Sequence, residues 1–274
     1  MRTKVVVVTG ASSGMGFATT TYLLQEGYRV YGLSRNFEKL SSITDENFTP
    51  LHYDITSQKS IDRAIATILE KEDHIDVLVN NAGYGLVSSV EEFEEEEMLA
   101  QFNVNLFGLL RVTKAVIPTM REQKSGVIIN ISSFLGKIGL PLLTFYNASK
   151  YAVEGVTDSL RYELREYNIR VHSILPGFFD TEFARSNLRT NSATFSKDSP
   201  YKDLVERLAP QIVEQINGGN DAFEVAQLIA TIIKDKNFVA RATAGDKAKK
   251  FLAMKRELSD EDFERRVREY YGLV

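Results

Sequence analysis

Four consecutive valines, Val5 to Val8, run directly into Thr9-Gly10-Ala11-Ser12-Ser13-Gly14-Met15-Gly16. An unbroken β-branched run, followed at once by a glycine-rich turn, reads as a strand buried on both faces rather than one. Such a strand cannot stand at a surface, so the chain must supply covering elements on either side of it. It does so. Phe17 to Gln25 suits a helix closed by Gly27, and Tyr28 to Ser34 is the next strand. The alternation continues with a helix near Phe37 to Ile43, a strand near Phe48 to Tyr53, a helix from Ser57 to Lys71 and a strand from Ile75 to Val79. Helical stretches follow from Glu91 to Glu122, then a strand Val127 to Ser132, a helix Tyr146 to Tyr167 and a strand Ile169 to Leu175. Strands alternating with helices imply parallel pairing through right-handed crossovers. The expected fold class is α/β, a doubly wound parallel sheet with helices on both faces.

Beyond Pro176-Gly177 the rhythm changes. A polar stretch, Asn187 to Ser199, precedes Tyr201, Leu204, Val205, Leu208, Ile212 and Ile216, an apolar stripe at helical spacing that Pro210 is placed to kink or split. Asp221 with Glu224 opens another helix, a last strand falls near Phe238 to Ala242, and Ser259 to Asp262 resembles a capping box before Phe263, Val267, Tyr270 and Tyr271. No repeat or linker divides the chain, so residues 1–274 are read as one domain, with a helical C-terminal extension over 246–274.

With 43% hydrophobic residues the 274-residue chain can bury a large core, and a net charge of -4 argues against a long basic track for nucleic acid. The absence of cysteine removes disulfides, thiolate catalysis and cysteine-ligated metals. The apolar run after Met1 is too short for a membrane span or a signal-peptide core. A cytoplasmic protein with no membrane span is the expectation.

The glycine loop carries chemistry of its own. It allows close backbone approach, and the helix it opens points unpaired N–H groups and a positive dipole end at any pyrophosphate placed there. Its spacing is neither G-x-G-x-x-G nor a Walker loop. Gly10, Ser12, Ser13, Gly14, Met15 and Gly16 are therefore candidate nucleotide-binding residues, against the alternative of a ligand-free turn. At the end of the second strand an acidic residue would select a ribose diol, but this chain has Ser34 and Arg35. A guanidinium holds a 2′-phosphate through a fork of donors, which favours NADP over NAD.

Tyr146 and Lys150 lie four apart, on one face of a helix. At roughly 5 Å and an effective dielectric of ~20, Coulomb's law favours the phenolate by about 3 kcal/mol, or roughly two pKa units. The expectation is a tyrosine tuned toward neutral pH as an acid/base. By itself this spacing is common on solvated helices.

Taken together and in order, the glycine loop, Asp54, Asn80-Asn81-Ala82-Gly83, Asn105 in Asn105-Leu106-Phe107-Gly108, Ser133, Tyr146 with Lys150, and Pro176-Gly177 followed by Thr181 resemble the short-chain dehydrogenase/reductase family, in its single-domain branch, over roughly Lys4 to Phe183. The resemblance implies a Rossmann-like sheet and an NADP(H)-dependent interconversion of a carbonyl and an alcohol. It implies that Asp54 binds the adenine amino group with Ile55 beside it. Asn81, Ala82 and Gly83 would line the adenosine side, and Pro176, Gly177, Phe179 and Thr181 would face the nicotinamide. Tyr146 would be the acid/base, Lys150 would hold the nicotinamide ribose, Ser133 would polarise the substrate oxygen, and Asn105 would keep a water in a proton relay. Ser132 competes with Ser133, and one of the two should be buried if the segment is extended. The family also implies a homodimer or homotetramer built on the helices containing Asn105 to Met120 and Tyr146 to Tyr167, and a substrate-covering segment over 183–222. Phe134, Leu140, Leu142, Leu143, Phe145, Phe178, Phe183 and Phe195 suit an apolar pocket wall and a lipophilic small-molecule substrate.

Three other readings compete: a noncatalytic dinucleotide sensor or scaffold, an NAD-dependent alcohol dehydrogenase of the same family, and a sugar-nucleotide epimerase or dehydratase. His52, His74 and His172 are scattered without zinc-ligand spacing, so no metal is expected. The acidic run Glu91, Glu92 and Glu94 to Glu97 reads as a solvated helix start.

Overall fold

In the computed structural model, which describes residues 2–36, 38–181, 183 and 187–273, alternate valines of the first strand go to opposite cores: Val6 and Val8 to one, Val5 and Val7 to the other. In chain order the strands among these residues are β1 (Val5–Thr9), β2 (Arg29–Ser34), β3 (Phe48–His52), β4 (Val77–Asn80), β5 (Gly85–Val87), β6 (Gly126–Ile131), β7 (Ile169–Pro176), β8 (Phe179–Asp180), β9 (Leu188–Thr190), β10 (Asn220–Asp221) and β11 (Arg241–Ala244). The helices are α1 (Gly14–Gln25), α2 (Gln58–Glu72), α3 (Glu95–Phe102), α4 (Leu109–Gln123), α5 (Thr144–Glu163), α6 (Lys202–Asn217), α7 (Phe223–Lys234), α8 (Asp246–Glu257) and α9 (Asp260–Tyr271). Seven strands form one sheet in the order β11-β7-β6-β4-β1-β2-β3, every pair parallel. This is the expected doubly wound α/β architecture.

The helices cover the sheet because their apolar stripes match its two faces. Leu23 and Leu24 of α1 meet Val225, Ile229 and Ile232 of α7 on one side. On the other, Ile61, Ile65 and Ile68 of α2 pack with Val112, Val116 and Met120 of α4 and Leu160 of α5. A third cluster lies past the strand ends, where α6, α8 and α9 pack Leu208, Ile212, Phe251, Phe263 and Val267 around Phe134 and Phe178. β1 sits between β2 and β4, so the winding reverses there. At such a reversal the loops leaving adjacent strands diverge and open a crevice at the carboxyl ends.

Several expectations change. The helix expected over Phe37 to Ile43 is a short 3-10 turn, Glu38–Leu40, in which only Leu40 is buried; Phe37 lies outside the described residues. One apolar residue cannot anchor a longer helix. The stretch Glu91 to Glu122 is divided into α3, a π-helical turn Asn103–Gly108 and α4. Pro210 does not split α6: it falls on the exposed face, where the Glu206 carbonyl it leaves without an amide partner reaches water, while Val205, Leu208, Ile212 and Ile216 hold the other face. The small parallel pairs β5–β9 and β8–β10 are too short to leave a periodic signal.

Candidate active site

The crevice is a cleft of about 320 Å³ with the glycine loop as its floor. Gly10 has φ +66° and a side chain there would meet the Ala82 Cα at 2.9 Å, so glycine is required both by the turn and by the neighbouring backbone. Gly16 is packed harder still: a Cβ would stand 2.2 Å from the Gly10 carbonyl oxygen. It closes helix on strand from behind and does not line the cleft, whereas Gly10, Ser12, Ser13, Gly14 and Met15 do. Ser13 precedes α1 without a side-chain capping bond, so the first-turn N–H groups have no acceptor from it. The Thr9 hydroxyl, fully buried, accepts from the N–H groups of Asn81 (2.9 Å) and Ala82 (3.1 Å), and the Asn81 amide donates to the carbonyls of Thr9 and Gly10 at 3.0 and 3.2 Å. These bonds fix the β4 loop against β1, placing Asn81, Ala82 and Gly83 along one wall.

Ser34 and Arg35 stand at one end of this cleft, and Ser34 Oγ donates to Ser12 Oγ at 2.7 Å, joining the two loops. Lys39 and Asn36 line the same end. Neither was singled out from the sequence, although Lys39 falls four residues after Arg35 in a segment read as helical. Ile55 lines the cleft; Asp54 does not. Its carboxylate accepts from the backbone N–H (2.9 Å) and the hydroxyl (2.7 Å) of Thr56, and the N–H bond leads the causes that hold it below the usual carboxylate range. Arg189 and Asn187, from the polar stretch, also line the cleft, and the Arg189 guanidinium lies 4.7 Å from the Tyr84 ring centre. Among the described lining residues are Arg35, Lys39, Lys150 and Arg189 and no carboxylate. Loop glycines, the N-terminus of α1 and this grouping of cationic side chains together fit a dinucleotide phosphate chain.

At the other end α5 brings Tyr146 and Lys150 to the cleft from its first two turns. Lys150 Nζ donates to the Ile131 carbonyl at 2.8 Å and lies 5.7 Å from the Tyr146 ring centre. The two groups therefore come together, but the phenol is not lowered as the spacing alone suggested. Burial pushes Tyr146 up to about 12, against a hydrogen bond with Ser133, and pulls Lys150 down to about 8, against the Glu154 carboxylate. Removal from water outweighs mutual Coulomb attraction here because both charged forms lose hydration.

Ser133 is the serine that bonds to the phenol, while Ser132 Oγ donates to the Lys150 carbonyl at 3.5 Å. Both serines are buried, so burial does not separate them; their partners do. Asn105 is aimed inward by the π-helical turn. Its amide donates to the Tyr84 carbonyl (2.9 Å) and Ser149 Oγ (3.1 Å), and its oxygen accepts from the Tyr84 N–H (3.0 Å). A Cβ on Gly83 would lie 3.1 Å from that oxygen and 3.7 Å from Lys150 Nζ, so Asn105 and Lys150 back onto the same loop.

Beyond Tyr146 the cleft meets a second pocket, of about 70 Å³ and largely apolar. Ser133, Tyr146, Pro176, Gly177, Phe179 and Thr181 line it, together with Phe134, Leu143, Phe178, Phe183, Leu188, Ile212 and Ile216. Leu140, Leu142, Phe145 and Phe195, also expected in the wall, do not line it. The acidic run turns out to hold the segment over this region. Glu92 accepts from Ser89 Oγ (3.0 Å) and Ser199 Oγ (2.9 Å), Glu91 from Tyr201 Oη (2.9 Å), and Glu97 from the Asn191 amide (2.7 Å). Glu94, Glu95 and Glu96 form the exposed start of α3, as expected, whereas Glu91, Glu92 and Glu97 are anchors.

Comparison with known proteins agrees with this arrangement. A family model described as short chain dehydrogenase matches residues 4–192. A 3-ketodihydrosphingosine reductase from Bacteroides thetaiotaomicron is 34% identical over 275 residues, covering 100% of both chains. The crystal structure of a short-chain dehydrogenase from Streptomyces avermitilis superposes with a TM-score of 0.83 at 30% identity, covering 100% of this chain and 97% of that one. A short chain dehydrogenase from Burkholderia cenocepacia, solved in complex with NADP, gives 0.76 at 26% identity over 97% of each. With its parallel sheet, glycine loop and Ser133–Tyr146–Lys150 grouping, the chain belongs to the short-chain dehydrogenase/reductase family of oxidoreductases.

Proposed function

We propose that the protein is an NADPH-dependent reductase of a lipophilic ketone or aldehyde. The observation that carries this is the continuity of a cleft, lined among the described residues by four cations and no carboxylate, with an apolar pocket, the two meeting at Tyr146. Arg35 and Lys39, with Ser34, would hold the 2′-phosphate; the glycine loop, the pyrophosphate; Ile55 and Asn81 to Gly83, the adenosine side, with Asp54 shaping the Ile55 turn. Lys150 would hold the nicotinamide ribose, and Pro176, Gly177, Phe179 and Thr181 would abut the ring. The Burkholderia neighbour's NADP supports that choice of cofactor.

The bound cofactor supplies a hydride to the carbonyl carbon. The negative charge that develops on oxygen is met by hydroxyl donors from Ser133 and Tyr146, and Tyr146, neutral at physiological pH because burial raises it, gives up its proton there. Lys150 then stabilises the phenolate left behind, and Asn105 holds the Tyr84 loop behind it. A neutral phenol is the form reduction needs; oxidation would require the phenolate. The pocket's volume admits the reacting end of a substrate, and a longer chain requires α6 to give way at Ile212 and Ile216. The Bacteroides relative, a 3-ketodihydrosphingosine reductase, makes long-chain 3-keto bases the first compounds to try. Assembly as a dimer or tetramer is part of the same reading: Phe107, exposed in the π-helical turn before α4, and Tyr151 and Tyr162, exposed along α5, are surface such contact would cover.

The test is oxidation of NADPH and of NADH across a panel of short ketones, aldehydes, long-chain 3-keto bases and 3-ketoacyl thioesters. The reading expects turnover with NADPH over NADH and higher kcat/KM for long-chain carbonyls. Tight NADPH binding without turnover on any carbonyl would favour a sensor or scaffold instead, and preference for NADH would remove the phosphate assignment.

A further inference from the structure

One turn beyond Lys150 on α5 lies Glu154, only 2% exposed and placed by helical spacing on the same buried face as the lysine. Two segments outside α5 converge on it. Its Oε2 accepts from Arg241 Nε of β11 at 2.5 Å and faces Lys137 Nζ at 3.4 Å, Lys137 being the residue that ends the turn begun by Ser133. Arg241 also pairs with Asp158 at the next turn of α5. Its other oxygen, Oε1, is buried with no hydrogen-bond partner among the described residues. A buried carboxylate oxygen without a donor is costly unless a nearby charge offsets its lost hydration. Arg241 and Lys137 supply such charge at Oε2, and the Lys150 ammonium on the preceding turn adds to it.

We propose that Glu154 is a positioning residue that keeps Lys150 protonated within the protein interior while tying the Ser133 turn and β11 to α5. Two cations, Lys137 and Arg241, and two carboxylates, Glu154 and Asp158, make a cluster with no net charge, so Lys150 sits beside a balanced group. Removing one negative charge from that group leaves an excess cation next to the lysine and disfavours its charged form. Removing Lys137 does the reverse. The same direction is visible in the folded chain, where Glu154 opposes the lowering of Lys150 by burial. Tyr146, the remaining titratable group on this face, stays neutral through the relevant range and does not disturb the balance.

The consequence for function rests on the proposed ribose contact of Lys150, but the inference is read on the lysine itself. The experiment is an NMR titration of lysine side-chain 13Cε shifts in the full chain, with Lys150 assigned by Lys150→Met. Glu154→Gln is expected to lower the Lys150 midpoint by about 1 pH unit or more, and Lys137→Ala, at a half-exposed site that tolerates truncation, to raise it. A purely structural ion pair would change the thermal midpoint in both variants and leave the titration where it was; unmoved midpoints, or both moving the same way, overturn the proposal. NADPH titrations at pH 8 run alongside. Weaker binding in Glu154→Gln, restored in Glu154→Asp, is expected, whereas a wild-type chain that does not bind NADPH refutes the cofactor reading and leaves the lysine midpoints to decide this one.

Discussion

Tyr146 and Lys150 illustrate what a residue spacing can and cannot convey. Their meeting on one helix face was legible, because four residues make about one turn wherever α5 forms. The direction of the tyrosine's shift was not, because it depends on β6, the Ser133 turn and the β4 loop, which together exclude water from both groups. The outcome suits a proton donor. Tyr146→Phe should cut turnover by at least about 10²-fold while leaving NADPH affinity within a few-fold, measured by single-turnover kinetics and fluorescence titration. Retained turnover would remove Tyr146 from the chemistry, and a larger loss in Ser132→Ala than in Ser133→Ala would exchange the serines. The pH dependence follows from Lys150: depressed to about 8, it is charged below that pH and neutral above it, whereas Tyr146 keeps its proton up to about 12. The kcat/KM for reduction should therefore be flat near pH 7 and fall above about pH 8, the limb belonging to the free enzyme. A profile that rises through that range would show that phenolate, not phenol, is the working form. At the far end of the cleft, Arg35→Asp combined with Lys39→Ala should reverse the NADPH:NADH preference by about 10²-fold or more, since two charge-assisted contacts to phosphate are lost. An unchanged ratio would dismiss both cations.

Elements show why the first half of the chain was easier to read than the second. The β1–loop–α1 unit announces itself through valines and glycines because each glycine answers a local demand. Gly16→Ala makes the point: its added methyl meets the Gly10 carbonyl and the Asn81 amide that is hydrogen-bonded to it, so α1 must move off β1. Overpacking of this kind costs about 1–3 kcal/mol, and calorimetry should show a lower Tm together with weaker NADPH binding, since the phosphate floor shifts with the helix. A variant as stable and as tight as the parent would mean that the loop has slack the geometry denies. The segment after β8 gave no comparable signal. β9 is three residues long, and the stretch after it is held at Asn191, Ser199 and Tyr201 by side chains far away in sequence, Glu97, Glu92 and Glu91, from a run that looked solvated. Long-range hydrogen bonds of this sort have no periodicity, and that is why Asn187 and Arg189 were not named beforehand.

At the scale of the whole molecule, the two cores flanking the sheet support the cation-lined cleft, and the third cluster backs the apolar pocket. The sheet and its covering helices follow from alternating strand and helix patterns. The third cluster does not, because α6, α8 and α9 come from separate parts of the last third of the chain and share a face only in the folded molecule. Gly177 is the seam: a side chain there would meet the Ala248 backbone nitrogen at 2.9 Å, so the α8 start presses on the loop proposed to face the nicotinamide. One turn on, Phe251 is 1% exposed, with its ring 6.0 Å from Phe134 and 5.3 Å from Tyr270. Phe134 in turn lines the pocket and stands edge-on to Phe178 at 5.4 Å. Phe251→Ala should therefore cost about 3–5 kcal/mol, lowering Tm by about 10 °C in a domain of this size. Its functional effect should be selective. With the rings behind the pocket released, kcat/KM for long-chain ketones should fall by about tenfold, the value of roughly 1.4 kcal/mol of lost apolar contact, while short ketones and NADPH affinity change little. A uniform loss across substrates would instead mean that the C-terminal helices stabilise the fold without shaping what the pocket accepts.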